Sequence, residues 1–347
     1  MRKPILRRDF LKLGTAAAAG SLLTLPSEGG NSVRSEVQKP LRLLHMTDAH
    51  LMDFMNKRGS SDGIAAAYQH ALTYAPDLIL NGGDMLTHSI ERPLKDMVND
   101  AKTFLKLAEV ASSVPMINAC GNHDIWGWDK RKSGATGREA LYGKAFFREF
   151  FGQGRTYLSV DLGRWALLVL DSTQPFENGY QGGLDDEQFE WLVGELTGNA
   201  RGKPVVILTH IPVLSMAVVL TDARLGRSDV HAEGIVVPKG SSMQDAWRVV
   251  EAFRRHGGVR CVLSGHVHMG ERVEVLGTTH IGGGAVCGSW WQPAEQVMVR
   301  TRLRQEGEGP TSERPPRAEP GFGVLDLHSD GSFEYEYARF PWNFRVG

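Results

Sequence analysis

Short apolar runs recur along the chain, and a polar cluster follows each of them. Their length and β-rich content predict six strands, at Leu41–Thr47, Leu78–Asn81, Met116–Ala119, Ala166–Leu170, Val205–Thr209 and Cys261–Ser264. Helical spacing of apolar residues fills several gaps and predicts five helices, at Gly63–Tyr74, Arg92–Ser112, Arg138–Phe150, Asp185–Leu196 and Met243–His256. Strands that alternate with helices favour an α/β fold with helices packed outside sheets.

Two segments interrupt this rhythm. Ile211–Ser242 mixes apolar and charged residues and is interpreted as a loop-like insertion; whether it covers a site stays open. Val299–Pro320 is rich in Pro, Gly, Glu and Arg, which is typical of an exposed loop. Beyond it, Phe322–His328 and Ser332–Ala338 alternate between apolar and polar residues around Asp330-Gly331, a pair that favours a tight hairpin turn.

The N-terminal residues differ from the rest of the chain. Arg7-Arg8-Asp9-Phe10-Leu11-Lys12 precedes a moderately apolar run from Leu13 to Leu25, and this arrangement resembles a twin-arginine export signal. The run is shorter than the ~20 apolar residues of a membrane-spanning helix. We therefore expect the twin-arginine translocase to export the chain to the periplasm or the exterior. An uncleaved signal would anchor it to the membrane, and a basic N-terminal tail is the alternative.

The composition allows a large buried core and excludes a strong overall charge. The chain has 347 residues, 41% of them hydrophobic, with 39 basic against 40 acidic side chains and a formal net charge of -1. This balance gives no overall attraction for nucleic acids or anionic membranes, so any charge that binds phosphate must be local. Cys120, Cys261 and Cys287 stand in apolar or glycine-rich segments and are predicted to be buried thiols.

Side chains that commonly bind metals follow five predicted strands. The segments are Asp48-Ala49-His50, Gly82-Gly83-Asp84, Gly121-Asn122-His123-Asp124, His210 and Gly265-His266-Val267-His268. Because sites in open α/β sheets form outside the carboxyl ends of the strands, these side chains can converge. Imidazole, carboxylate and amide groups suit divalent metals such as Mn, Fe, Co, Ni and Zn, and the set contains no cysteine, which argues against a structural zinc site.

In this order the motifs resemble the calcineurin-like metallophosphoesterase superfamily, over residues 43–268. The resemblance implies a four-layer α/β fold, a β-sandwich flanked by helices, with a site for two metal ions at its edge. It assigns the first ion to Asp48, His50, Asp84 and His268. It assigns the second ion to Asp84, Asn122, His210 and His266, so that Asp84 bridges the two.

The resemblance also implies a phosphate-ester hydrolase. Two divalent ions, held by two carboxylates and sharing a hydroxide, keep a net positive charge that favours an anionic phosphoryl group. The bridging hydroxide would attack phosphorus in line while both ions hold the phosphoryl oxygens. His123 is the candidate general acid for the leaving oxygen, and Asp124 is the candidate that orients its imidazole. The alternative is that His123 only hydrogen-bonds its own loop.

The sequence says less about the substrate than about the type of reaction. The motifs are similar to the bacterial class that contains class III cyclic-nucleotide phosphodiesterases and glycerophosphodiesterases, although export argues against a dedicated intracellular cyclic-nucleotide role. Thr87 stands where the ferric site of purple acid phosphatases has a tyrosine. We expect a small-molecule phosphate diester or monoester as substrate. An exported nuclease or nucleotidase, and a non-catalytic metal-binding module, are the alternatives.

Several aromatic and histidine residues carry further hypotheses. Trp290 and Trp291 either wall a pocket or stack a base or sugar. They end Gly284–Trp291, which is similar to the C-terminal region of exported bacterial members of the superfamily. His45 alternates with core residues and is predicted to be packed, whereas the role of His88 stays open.

Together these features divide the chain into five predicted parts. An export signal and a linker precede the catalytic domain, and a loop and a small β-rich extension packed on that domain follow it. The bounds are 1–30 for the export signal, 31–40 for the linker, 41–298 for the metallophosphoesterase catalytic domain, 299–320 for the exposed loop and 321–347 for the C-terminal β-hairpin.

Overall fold

The computed structural model describes residues 39–52, 59–152, 154–224, 229–231, 234–292 and 319–342. The predicted export signal at 1–30, the linker up to residue 38 and positions 299–318 of the predicted loop lie outside these residues. The twin-arginine signal therefore stays a prediction.

Fifteen strands run through the described residues, and eleven of them form two large sheets. The first eight are β1 (Leu41–Met46), β2 (Leu78–Asn81), β3 (Met116–Asn118), β4 (Leu158–Leu162), β5 (Trp165–Val169), β6 (Thr173–Phe176), β7 (Gly179–Gly182) and β8 (Val205–Leu208). The others are β9 (Asp229–His231), β10 (Gly234–Val236), β11 (Val259–Ser264), β12 (Gly270–Val275), β13 (Thr278–Gly283), β14 (Gly321–Leu327) and β15 (Phe333–Arg339).

Seven α-helices lie among these strands in the described residues. They are α1 (Ser60–Leu72), α2 (Leu94–Ala108), α3 (Lys130–Ser133), α4 (Lys144–Phe150), α5 (Asp186–Thr197), α6 (Met216–Arg224) and α7 (Ala246–His256). Local signals set several of their ends. Asp185 accepts a hydrogen bond from the N–H of Gln188 at 2.8 Å and so begins α5. Gly257, with φ 70°, takes the left-handed conformation that ends α7.

The strand order places parallel strands in the middle of both sheets. The first sheet has the order β15-β14-β1-β2-β3, in which β1, β2 and β3 are parallel and the C-terminal hairpin pairs antiparallel with β1. The second sheet has the order β12-β13-β11-β8-β5-β4, with a parallel centre and antiparallel edges. Parallel strands share one carboxyl edge, which is where polar loop residues can gather.

Successive side chains along each central strand point to opposite faces of the sheet and pack into two different apolar layers. On β8, Val206 and Leu208 face the layer between the sheets, whereas Val205 and Ile207 face the helices. A strand buried on both faces must be apolar at every position, which is why these strands stand out in the sequence as continuous runs. Full burial of each such side chain stabilises the fold by roughly 1.5–3 kcal/mol.

Helices cover the outer face of each sheet. Residues of α1, α2 and α4 pack on the first sheet, among them Ala67, Phe104 and Phe147. Residues of α5 and α7 pack on the second sheet, among them Leu192 and Phe253. The result is four layers, helix, sheet, sheet and helix, and the predicted fold class is confirmed.

The structure corrects two element predictions. The helix expected at Arg138–Phe150 begins only at Lys144, because Gly143 before it has φ 64°, a left-handed conformation that a helix cannot contain. The segment Ile211–Ser242 is not merely loop-like, since it contains α6 and the β9–β10 pair. Its mixture of apolar and charged residues hid these short elements.

Two smaller predictions concern cysteines and membrane spans. The three cysteines are free and buried, as expected, and burial raises the pKa of Cys261 to about 12. Among the described residues, no helix combines the length and the apolar character needed to cross a membrane.

Candidate metal centre

Side chains from both sheets meet where the parallel strands end. The loops after β1, β2, β3, β8 and β11 contribute Asp48, His50, Asp84, Asn122, His210, His266 and His268. Six of them are buried, with exposures between 0% and 2%, and His266 is half-buried. The structure therefore brings all seven predicted ligands to one edge of the sandwich.

The first predicted set gathers around His50 and His268. Their Nε2 atoms lie 3.0 Å apart, and Oδ1 of Asp48 lies 3.2 Å from Nε2 of His268. Oδ2 of Asp84 lies 3.6 Å from Nε2 of His50. Two nitrogens bound to one ion at about 2.0–2.1 Å lie roughly 3 Å apart, so this set fits a divalent metal.

The second predicted set gathers around His210. Its Nε2 atom lies 3.2 Å from Oδ2 of Asp84 and 3.1 Å from Oδ1 of Asn122. Ligating atoms of Asp84, His210 and His266 lie within 4.8 Å of one another. Because the same Asp84 oxygen also faces His50, the Asp84 carboxylate lies between the two sets.

Backbone carbonyl groups fix the Nδ1 atom of three of these imidazoles. A carbonyl oxygen only accepts, so each Nδ1 carries a ring proton, and in the neutral ring each Nε2 presents its lone pair to the other ligands. This is the form in which neutral histidine binds a metal, and facing lone pairs call for a cation between them. The pairs are His50–Leu86 (3.1 Å), His210–Gly82 (2.8 Å) and His268–Gly288 (3.1 Å).

Charges within the site act strongly on one another. Although burial alone lowers it, the neighbouring charge of Asp84 raises the pKa of His210 to about 9. Against their own burial, the histidines lower the pKa of Asp84 and of Asp48. Carboxylates buried this deeply require a cationic partner, and a divalent ion supplies one.

Five predicted ligands have left-handed backbone conformations. Their φ values are 55° at Asp48, 45° at His50, 55° at Asp84, 71° at His266 and 57° at His268. Each such residue costs on the order of 1–3 kcal/mol, which the surrounding contacts must offset. Strain of this kind gathers at functional sites, where it aims side chains in directions that a regular strand does not allow.

His123 lies at the same place, but its imidazole is held differently. Its Nδ1 accepts a hydrogen bond from the backbone N–H of His88 at 2.9 Å, which leaves the ring proton on Nε2. Burial lowers the pKa of His123 to about 3, so the ring is neutral. Ligating atoms of His50, Asp84 and His123 lie within 4.8 Å of one another. His123 is therefore close enough to act on a group bound at the centre.

The structure corrects the expectation that Asp124 orients the imidazole of His123. Both carboxylate oxygens of Asp124 are engaged by backbone N–H groups, and the backbone of His88 orients the imidazole instead. Asp124 thus ties the loop after β3 to the loop after β2. The N–H groups that it binds belong to Asp84 (2.8 Å), Gly121 (3.1 Å) and Leu86 (3.1 Å).

Some contacts at the site were not predicted. The Thr47 hydroxyl donates to Oδ2 of Asp48 at 2.7 Å, and the Tyr180 ring lies edge-on to His266 with 6.0 Å between centroids. Cys287 Sγ lies 3.7 Å from Nδ1 of His268. Thr47 precedes a ligand in sequence, which was a usable signal, whereas Tyr180 belongs to the β6–β7 hairpin and no motif marks it.

His45 is packed, as predicted. It is 0% exposed, and its two ring nitrogens have no hydrogen-bond partner among the described residues. A Cβ atom at Gly283 would lie 2.3 Å from Cε1 of His45, and one at Gly82 would lie 2.8 Å from its Nε2. The imidazole therefore fills the space that these glycines leave between the two sheets.

Known proteins share both the sequence pattern and the fold. The chain is 27% identical over 235 residues to the probable cyclic nucleotide phosphodiesterase of Synechococcus sp. (strain WH7803). The match covers 65% of this chain and 74% of the relative. A dimetal phosphatase from Danio rerio has a similar structure, with a TM-score of 0.54 and 15% identity over 83% of this chain and 93% of that chain. At this identity the likeness shows the fold.

The family follows from a match to a family model. Residues 41–270 fit the family model of calcineurin-like phosphoesterases. That range contains every strand end from β1 to β11 and all seven predicted ligands. The chain therefore belongs to the calcineurin-like phosphoesterase family and is a phosphoester hydrolase.

Proposed function

We propose that this hydrolase cleaves phosphate esters at a centre of two divalent metal ions that share Asp84. One observation carries the proposal: Oδ2 of Asp84 faces Nε2 of His50 at 3.6 Å and Nε2 of His210 at 3.2 Å. A carboxylate between histidines of two separate sets has the position that a bridging ligand needs. Imidazole, carboxylate and one amide oxygen suit Mn, Fe or Zn.

The charge of the ligands fits an anionic substrate. When bound, the ions would polarise the phosphoryl group and make a water molecule acidic enough to attack it near neutral pH. Asp48 and Asp84 are the two carboxylates among the seven predicted ligands, and Asn122 contributes a neutral oxygen. The ligands thus carry less negative charge than two divalent ions carry positive charge, and the site attracts phosphate.

His123 is proposed to act on the leaving oxygen. Because Nδ1 accepts from His88, the neutral ring offers its Nε2–H as a donor. A hydrogen bond from Nε2 to the departing oxygen stabilises the negative charge that develops there. This refines the general-acid role: His123 presents a fixed donor, and the backbone of His88 sets its direction.

A small organic phosphodiester is the proposed substrate class. The relative from Synechococcus is named a probable cyclic nucleotide phosphodiesterase, and its similarity spans 65% of this chain. The formal net charge of -1 provides no general attraction for a polynucleotide. Both points favour a small diester over a nucleic acid.

Turnover by the full-length chain tests the proposal. The chain is stripped with a chelator, reloaded with Mn²⁺ or Zn²⁺, and assayed on bis(4-nitrophenyl) phosphate and 4-nitrophenyl phosphate. We expect turnover only after reloading, with faster turnover of the diester. Asp84→Asn should abolish turnover and lower the metal content. Asp186→Asn, at a side chain 91% exposed on α5, is the matched control and keeps both. Metal-independent turnover, or full turnover by Asp84→Asn, contradicts the proposal.

A further inference from the structure

An indole ring lies directly against the imidazoles of the first predicted set. The ring centroid of Trp290 is 4.0 Å from that of His50, with 31° between the planes. It is 5.1 Å from that of His268, in a stacked arrangement at 28°. The same indole meets His123 edge-on at 5.8 Å. One side chain therefore contacts two predicted ligands and the residue proposed to act on the leaving oxygen.

Burial indicates what the indole does for these rings. His50 and His268 are 0% and 2% exposed, whereas Trp290 is half-buried. The indole is therefore part of the layer that separates the two imidazoles from solvent. The second predicted set has a different neighbour, since the ring beside His266 is Tyr180.

The next residue, Trp291, anchors this turn. Its Nε1–H donates to the carbonyl oxygens of Ala49 at 2.9 Å and His50 at 3.1 Å, and its ring packs so closely on Gly63 that a Cβ there would lie 2.1 Å away. Both tryptophans have left-handed backbones, with φ 59° at Trp290 and 55° at Trp291. Such strain persists only where contacts hold it. Trp291 is the anchor, and Trp290 is thereby aimed at the site.

We propose that Trp290 is a positioning residue that fixes the ring planes of His50 and His268 and retains the metal ion of the first set. This rests on the proposed function. An imidazole bound to a divalent ion is electron-poor, and the face of an indole attracts positive charge, so stacking favours the metal-bound form over the free one. The second set shares Asp84 with the first, but its histidines have other neighbours, so loss of the stack should affect the second ion much less.

Metal release from the full-length chain tests this inference. The chain is loaded with Co²⁺, and the absorbance of a coloured chelator follows the loss of each ion. Wild type releases two ions per chain in two phases. Trp290→Ala speeds one phase by roughly 10–100-fold, the usual cost of removing a group that supports a ligand, and changes the other phase much less. Trp290→Phe, which keeps an aromatic face, restores most of the retention.

Two controls separate positioning from general destabilisation. Trp247→Ala removes an indole that is 72% exposed on α7 and should release both ions as wild type does. The unfolding midpoint of the metal-free Trp290→Ala chain should stay near that of wild type. Equal acceleration of both phases, or two unchanged phases, overturns the inference; a lowered midpoint would then show general destabilisation as the cause.

The same measurement distinguishes this inference from the proposed function. If wild type binds two ions and hydrolyses the diester but Trp290→Ala releases both ions at wild-type rates, only the role of Trp290 is wrong. If wild type binds one ion or none, the two-metal proposal fails, and the role of Trp290 fails with it.

Discussion

At the scale of single residues, hydrogen bonds to the backbone decide what the buried side chains can do. Carbonyl groups hold Nδ1 of His50, His210 and His268 and direct their Nε2 atoms inward. His123 is held in the opposite sense, because its Nδ1 accepts from an N–H group. The same residue type is thereby suited to bind a metal in three places and to donate a hydrogen bond in the fourth.

Replacing His123 by alanine tests the donor role. We expect kcat to fall by about 10²–10⁴-fold, because the leaving oxygen loses its donor, while metal analysis still finds two ions per chain. His328→Ala, at a half-buried side chain near the C-terminal hairpin turn, is the matched control and should keep wild-type turnover. If His123→Ala keeps the wild-type kcat, His123 does not donate to the leaving oxygen. If the variant binds one ion fewer, His123 is a metal ligand instead.

Replacing Asp124 by asparagine tests whether its carboxylate holds the two loops together. In Asp124→Asn an amide NH₂ replaces one acceptor oxygen, so at least one buried backbone N–H loses its partner. We expect the free energy of unfolding, measured with denaturant on the metal-free chain, to fall by about 1–3 kcal/mol. Asp161→Asn, 71% exposed, should lower it by no more than about 1 kcal/mol, because it weakens only an exposed ion pair with Lys203. Wild-type stability with lost turnover would return Asp124 to the catalytic set.

The ligands themselves could be predicted from the sequence, since each follows a recognisable apolar strand. The direction of Asp124 could not, because two of the three N–H groups that bind it come from a loop 38 to 40 positions away in sequence. For Trp290 the sequence predicted only that it walls a pocket or stacks a base or sugar. Its contact with His50 depends on how the turn after β13 packs, which local patterns do not encode.

At the scale of elements, the central strands β5 and β8 were predictable, whereas the two edge strands of the second sheet were not. β5 and β8 are buried at every position and form apolar runs. β4 and β12 lie at the edges of the second sheet and mix exposed and partly buried positions. An edge strand exposes one face to solvent, so its sequence resembles that of a loop.

The close approach of two loops gives a prediction at this scale. A Cβ at Gly121 would lie 2.2 Å from N and Oδ1 of Asp84, although φ -89° suits any residue. Gly121→Ala must therefore displace Asp84, and we expect less bound metal and a kcat lower by about 10²-fold, the cost of a displacement near 1 Å.

A second glycine provides the control for this change. Gly194 lies in α5, where a Cβ would meet nothing within 4 Å. Gly194→Ala should keep metal and turnover and raise the free energy of unfolding by up to about 1 kcal/mol, because alanine favours the helix. Wild-type metal content and turnover in Gly121→Ala would show that the loops tolerate the extra atom.

At the scale of the whole molecule, the site depends on the packing of both sheets. The first sheet supplies Asp48, Asp84 and Asn122, and the second supplies His210 and the two histidines after β11. Asp84 faces His210 across this interface at 3.2 Å. The proposed two-metal centre can therefore form only in the folded sandwich.

Export is the prediction that the described residues leave untested. If the N-terminal signal acts as proposed, Arg7→Lys combined with Arg8→Lys keeps the full-length chain in the cytoplasm of bacterial cells, because the pathway recognises the arginine pair. Cell fractionation measures this, and Arg2→Lys, outside the pair, is the control. Unchanged export of the double variant shows that the pair is not the signal.

The position of two ions relative to Asp84 tests the central claim most directly. Anomalous scattering from crystals of the Mn²⁺-loaded chain locates each ion without assumptions about turnover. We predict two peaks about 3.5–4 Å apart, one beside His50 and His268, the other beside His210 and His266, with the Asp84 carboxylate between them. A single peak, or two peaks that do not share Asp84, contradicts the two-metal centre.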